Sequence, residues 1–284
     1  MKNNYKSLKK YVYFLFFVFI NLVASSQVTL DFRNANLISG TANQVNAKYR
    51  FQNVGTAQDG VALDCLVTIT NLQHATLTQF DDNGDHIGNG NSSFDPIVQL
   101  DGSAVNGSND GSYAEFLFEF VLHSDNSVSK AIHTNAYAMD VDGNNGGIRE
   151  YVIISNFGGY ILNNNTLLNY IPYGRFEAQT DVVNPGIDAN ERFLAKTTYT
   201  LLDKFTYRAG VLRDYGNSTT GRLFALAFES IPFSDPNEVT VIDAVDDAFS
   251  PLIQGVGGIL GNVLTNDIVE GNPANAANLN SRSL

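Results

Sequence analysis

Tryptophan is absent from these 284 residues, and cysteine occurs once, at Cys65. A lone cysteine excludes a disulfide framework and any cysteine-based zinc site. His74, His86, His123 and His133 are the only histidines, and they share no HxxxH or HxxEH spacing, so a zinc hydrolase has no support. Basic side chains are scarce. The sequence carries 17 Lys and Arg against 29 Asp and Glu, a formal net charge of −12. Such a surface repels phosphates and offers no basic stripe, which argues against nucleic acid as a partner. Sustained helical apolar spacing is missing as well. No Gly-x-Ser-x-Gly elbow, Walker loop or dinucleotide fingerprint occurs.

What is present begins with an address. Lys2, Lys6, Lys9 and Lys10 precede an apolar run from Tyr11 to Val23, and Ala24-Ser25-Ser26 follows. A basic start, a short apolar stretch and small residues at −3 and −1 describe a signal peptide over residues 1–26. The run falls short of the roughly 20 apolar residues a spanning helix needs. Cleavage would leave Gln27 first and remove four lysines and no acids, taking the net charge from −12 to −16. The mature chain is expected to be secreted or at the cell surface, with no membrane span.

Period-two alternation dominates the rest. Tyr49 and Phe51 alternate with polar neighbours, as do Leu63, Cys65, Val67 and Ile69, and Phe116, Phe118 and Phe120 share one face opposite Glu115 and Glu119. Turn-forming Asn, Asp, Gly and Ser clusters separate these runs. Short strands between turns predict an all-β antiparallel sandwich, jelly-roll or Ig-like, over residues 27–233. Cys65, in apolar register, reads as a core thiol. Residues 234–237 hold a proline and polar turn residues and read as a linker; residues 238–284 form a further unit.

That unit carries Asp243-Ala244-Val245-Asp246-Asp247 and Gly261-Asn262-Val263-Leu264-Thr265-Asn266-Asp267. These motifs resemble the opening of a tandem Ig-like (cadherin-like) repeat of large bacterial surface adhesins. The resemblance implies that residues 27–233 are an N-terminal head domain and 238–284 an incomplete repeat start. In such repeats acidic residues at unit ends bind calcium, which would place Asp246, Asp247 and Asp267 at a joint. Too few residues follow position 238 to close a sandwich, so the segment is expected to be poorly ordered or to dock as an extra strand.

Two acidic loops in the main domain are candidate metal sites. Asp140, Asp142 and Asn144 alternate around Gly143, with Glu150 beyond, and oxygen ligands at that spacing can curl around calcium. Asp81, Asn83 and Asp85 form a second oxygen cluster; plain turns use the same residues. Catalysis has less to work with. Glu115 and Glu119 lie about 13 Å apart along a strand, against the roughly 5 Å or 6.5–9.5 Å that glycosidases need. Tyr160, Tyr170 and Tyr173 are the nearest approach to an aromatic platform for sugar. The sequence therefore reads as an exported, non-enzymatic adhesion protein, possible calcium included, that binds an extracellular glycan or protein. A carbohydrate-binding module is the second reading and a polysaccharide-active enzyme the third.

Overall fold

The computed structural model describes residues 27–243 apart from 87, 89, 101–110, 146, 181 and 214–219, together with 268–269 and 272–273. The expected signal peptide over residues 1–26 and the Asp246, Asp247 and Gly261–Asp267 motifs lie outside the described residues.

The alternating runs pair into two main sheets. The larger contains, in spatial order, β1 (Asn36–Ser39), β2 (Lys48–Thr56), β3 (Ala62–Gln73), β6 (Ser112–Leu122), β13 (Lys204–Arg213), β8 (Ile148–Ile154), β11 (Arg175–Ala178) and β10 (Leu168–Ile171). The smaller runs β15 (Ala225–Ala227), β7 (Ile132–Met139), β12 (Ala195–Leu202), β9 (Gly159–Asn163) and β16 (Pro236–Thr240). A short sheet joins β14 (Thr220–Leu223), β5 (Ile97–Leu100) and β4 (Ala75–Gln79), and another joins β17 (Ile242–Asp243), β18 (Ile268–Val269) and β19 (Asn272–Pro273). All ladders among the described residues are antiparallel. The architecture is the all-β sandwich that the alternation predicts.

Aromatic rings hold the layers together. Phe118 lies opposite Val67 on one side and Phe205 on the other, and the two rings stack at 4.7 Å. Phe116 and Phe120 repeat this arrangement one step up and down, against Ile69 with Tyr207, and against Cys65. Phe94 meets Phe118 edge-on at 5.1 Å, and Phe32 stacks on Phe228 at 5.2 Å. Alanines 136 and 138 on β7 belong to the same core, and such small residues make room for rings on the facing layer. The largest fully buried side chains are all Phe or Tyr, which explains how the core forms without tryptophan. Cys65 is fully buried, and burial pushes its thiol pKa up. Tyr137 and Met139, on the other face of β7, pack with Leu194, Ala225 and Ile231 in a second core.

β16 crosses the boundary expected between linker and repeat. Its five residues pair with β9 from Pro236↔Asn163 to Thr240↔Gly159, and the Asn164 amide reaches the Asp235 carbonyl. Proline fits here because it is the first residue of an edge strand. The strand buries little, so hydrogen bonds carry the attachment, at about 1 kcal/mol each net. Truncation after Asp243 is therefore expected to leave the melting temperature of the main domain unchanged. Truncation after Phe233 should lower it by several degrees, read by calorimetry; equal melting of the two forms would show that β16 contributes nothing.

A buried charge ties β2 to β3. Asp64 is fully buried and accepts hydrogen bonds from the Asn53 amide (2.8 Å), a His123 ring nitrogen (2.8 Å) and the Arg50 guanidinium. These close a register shift in β2, where Asn53 takes a positive φ of 53°. Burial alone would raise the Asp64 pKa, but the Asn53 amide, His123 and Arg50 outweigh it and hold it below 3.8. The folded value is depressed, so the stabilisation is present above the unfolded pKa of about 3.9 and is lost as pH falls through the folded value. Asp64→Asn should lower stability at neutral pH and flatten its decline below about pH 4, measured by urea unfolding across pH.

Candidate functional site

One edge of the larger sheet ends in a polar groove of about 500 Å³, within the size range of small-molecule sites. β1, the turn into β2 and the end of β4 supply its walls. Asn34, Asn36, Asn43, Gln79 and Asn83 line it with amides, and Thr78 adds a hydroxyl. Tyr49 and Phe80, stacked at 3.6 Å and nearly parallel, belong to its lining and are almost wholly buried.

The local sequence explains the fixed position of these amides. Asn34, Asn43 and Asn83 have φ values of 56°, 59° and 55°, a left-handed region that asparagine tolerates better than most side chains. Side chains then brace the loops to one another. Asn83 Oδ1 accepts the Asn34 amide at 2.8 Å, Asn43 Nδ2 donates to the Thr78 carbonyl at 3.2 Å, and the Tyr49 hydroxyl donates to Asn43 Oδ1 at 3.2 Å. Beneath lies Asp81, 7% exposed. Its Oδ1 accepts the Asp95 amide at 2.9 Å, while its buried Oδ2 has no partner among the described residues. Burial, with the nearby Asp95 charge, raises the Asp81 pKa to about 7.

The expected ligand set Asp81, Asn83 and Asp85 does not converge. Asp81 holds the Asp95 backbone and Asn83 holds Asn34, whereas Asp85 accepts the Gly88 and Gly90 amides at 2.7 and 2.8 Å and so closes its own turn. Asp95 Oδ2 pairs with His86 at 3.1 Å.

The other acidic loop is brought together, but around a side chain. The Arg222 guanidinium, from β14, forms ion pairs with both Asp142 and Glu150. Asp140 instead accepts Asn184 Nδ2 at 2.7 Å, and the Asn184 backbone amide donates to Asp142 at 2.6 Å. Asn144 turns away to accept the Ile148 amide at 3.2 Å. Burial raises the pKa of Glu150 to about 8 and of Asp140 to about 7, with Arg222 pulling both down. Arg222 thus places a positive charge among these acidic side chains. It lies 80 and 72 residues from its partners, beyond the reach of any local motif. Among the described residues no group of three or more His, Cys, Asp or Glu is arranged to hold a metal ion.

Tyr160 and Tyr170 stack on each other at 4.3 Å and are half-buried against the core. Tyr173 stands apart at the tip of the β10–β11 hairpin, 95% exposed. They form no common platform. Glu115 and Glu119 are also separate: Arg208 pairs with the first at 2.8 Å and Lys48 with the second at 3.0 Å.

No protein-family model and no curated protein matches the sequence. Among solved structures, the chain is similar to the N-terminal domain of the Streptococcus gordonii adhesin Sgo0707, with 11% identity and a TM-score of 0.44 over 73% of this chain and 63% of that one. Similarity extends to the glucan binding protein C of Streptococcus mutans, with 13% identity, a TM-score of 0.42 and coverage of 65% and 58%. It extends also to the adhesin domain of PrgB from Enterococcus faecalis, at 12%, 0.39, 65% and 64%. The matched region spans less than two thirds of each of those chains. Among the described residues no helix is long and apolar enough to cross a membrane.

Removing Arg222 leaves Asp142 and Glu150 buried without their cation. Arg222→Met should cost about 3–5 kcal/mol in chemical unfolding, the usual loss for one partner of a buried pair. Calcium near 10⁻³ M, the extracellular range, is expected to shift the melting of wild type and of Asp140→Asn/Asp142→Asn equally. A calcium response present only in the wild type would return this loop to metal binding.

Proposed function

We propose that this chain is an exported, non-enzymatic adhesion-type protein that holds an extracellular ligand in the amide-lined groove. The observation that carries this reading is the groove itself, an open polar recess of about 500 Å³ whose loops are braced by the Asn43 and Asn83 side chains. The lysine-rich start and apolar run support export, and the repeat-like motifs after position 238 support a place on a surface protein. The separate pairing of Glu115 and Glu119 with Arg208 and Lys48 supports a binding role over glycoside cleavage. Calcium enters this reading only through the melting comparison above.

Secreted protein should have Gln27 at its N-terminus by intact mass. Residues 27–243, applied to immobilised glycans and matrix proteins, are expected to bind without releasing product from any polysaccharide. Thr78→Trp, which fills the groove from an exposed position, should abolish binding with the melting temperature unchanged. Binding that survives Thr78→Trp moves the site elsewhere, and sugar release makes the protein an enzyme.

A further inference from the structure

We infer that the groove selects an uncharged, hydroxyl-rich ligand, a neutral glycan, over glycans bearing carboxylate, sulfate or phosphate; this rests on the groove being the ligand site. Charge makes the first distinction. No Lys, Arg or His lines the groove among the described residues, so an anionic group placed there meets no counter-charge. Asp81 belongs to the lining, and its buried Oδ2 has no hydrogen-bond partner among the described residues. An anion would lose its hydration with no cation in the lining to replace it, which discriminates against it.

Hydrogen-bonding capacity makes the second. A primary amide carries donors and an acceptor in one plane, matching hydroxyls that both give and take. The Asn36, Asn43 and Gln79 amides already bond within the protein, which leaves Asn34 and Asn83 to meet a ligand. Asn34 and Asn83 are exposed, and neither the Asn34 side chain nor Asn83 Nδ2 has a partner among the described residues. Asn83 Oδ1 is already engaged by the Asn34 amide at 2.8 Å, which fixes the side chain while leaving its nitrogen available. The Asn83 side chain, held this way, loses little freedom on binding. A basic peptide would be drawn toward Asp81, but only 7% of that residue is exposed, so no direct ion pair can form without opening the loop.

The test uses glycine to delete the amides. Asn34→Gly and Asn83→Gly keep the left-handed backbone at no steric cost. Asn83→Gly also removes the acceptor of the Asn34 amide, so Asn34→Gly, which breaks no side-chain bond, is the deciding variant, and both are checked by melting temperature. Titration calorimetry of residues 27–243 would compare mannan, starch and β-glucan oligosaccharides with heparin, polygalacturonate and a lysine-rich peptide. Binding within the neutral set is expected, weakened about fivefold by each substitution, the equivalent of roughly one lost hydrogen bond. Binding of an anionic glycan or the peptide that falls with the same substitutions would overturn the inference and leave the groove as the site. Neutral-glycan binding that survives both substitutions would overturn the inference and the groove together. Absence of binding to every probe would overturn it too, with the broader glycan and protein screen then deciding on the adhesion reading.

Discussion

The ladder of Phe116, Phe118 and Phe120 along β6 is the interaction on which the rest depends. Those rings lie between β3 on one side and β13 on the other, and each is fully buried. β6 is thereby fixed at the centre of the larger sheet, and the strands toward β1 and β10 are placed outward from it. The chain segments that carry Phe32, Phe94 and Phe228 enter the same aromatic cluster. Phe94 comes from the long connection between β4 and β5 that also contributes Asp95. Core packing thus reaches the groove: Phe80 contacts Phe94 at 5.3 Å and stacks on Tyr49 in the groove lining. The site is irregular in backbone yet seated on the aromatic core.

How much of this could be read beforehand follows from burial geometry. β2, β3 and β6 bury one face along many residues, so their alternation survives in the sequence. Strands of four or five residues, such as β5 and β10, offer only two positions per face, and no period can be recognised there. β16 is harder still, because its side chains are mostly exposed and its first residue is Pro236. Such a stretch has the composition of a linker, and only the open edge of β9 makes it a strand.

The candidate sites divide along the same line. Oxygen-rich spacing draws attention to Asp140, Asp142 and Glu150, but Arg222, which pairs with two of them, lies far along the chain and no local pattern points to it. Asn83 reads as part of an oxygen cluster that plain turns also use, Asn34 and Asn43 carry no signal of their own, and all three take left-handed backbone positions. Their further role arises because three turns distant in sequence meet at one edge of the sheet. Asparagine serves both purposes through the same short amide, so composition alone could not separate them.

The position of β16 has a mechanical meaning. It is the last strand before the chain leaves the smaller sheet, and it runs antiparallel to β9 with Thr240 at the exit. Tension applied through the following residues reaches the pair at the Thr240↔Gly159 end. That pair is held by hydrogen bonds with little buried surface behind it. A pull on the following residues therefore meets hydrogen bonds before it meets packed rings, and this seam can part and close again while the aromatic interior stays packed.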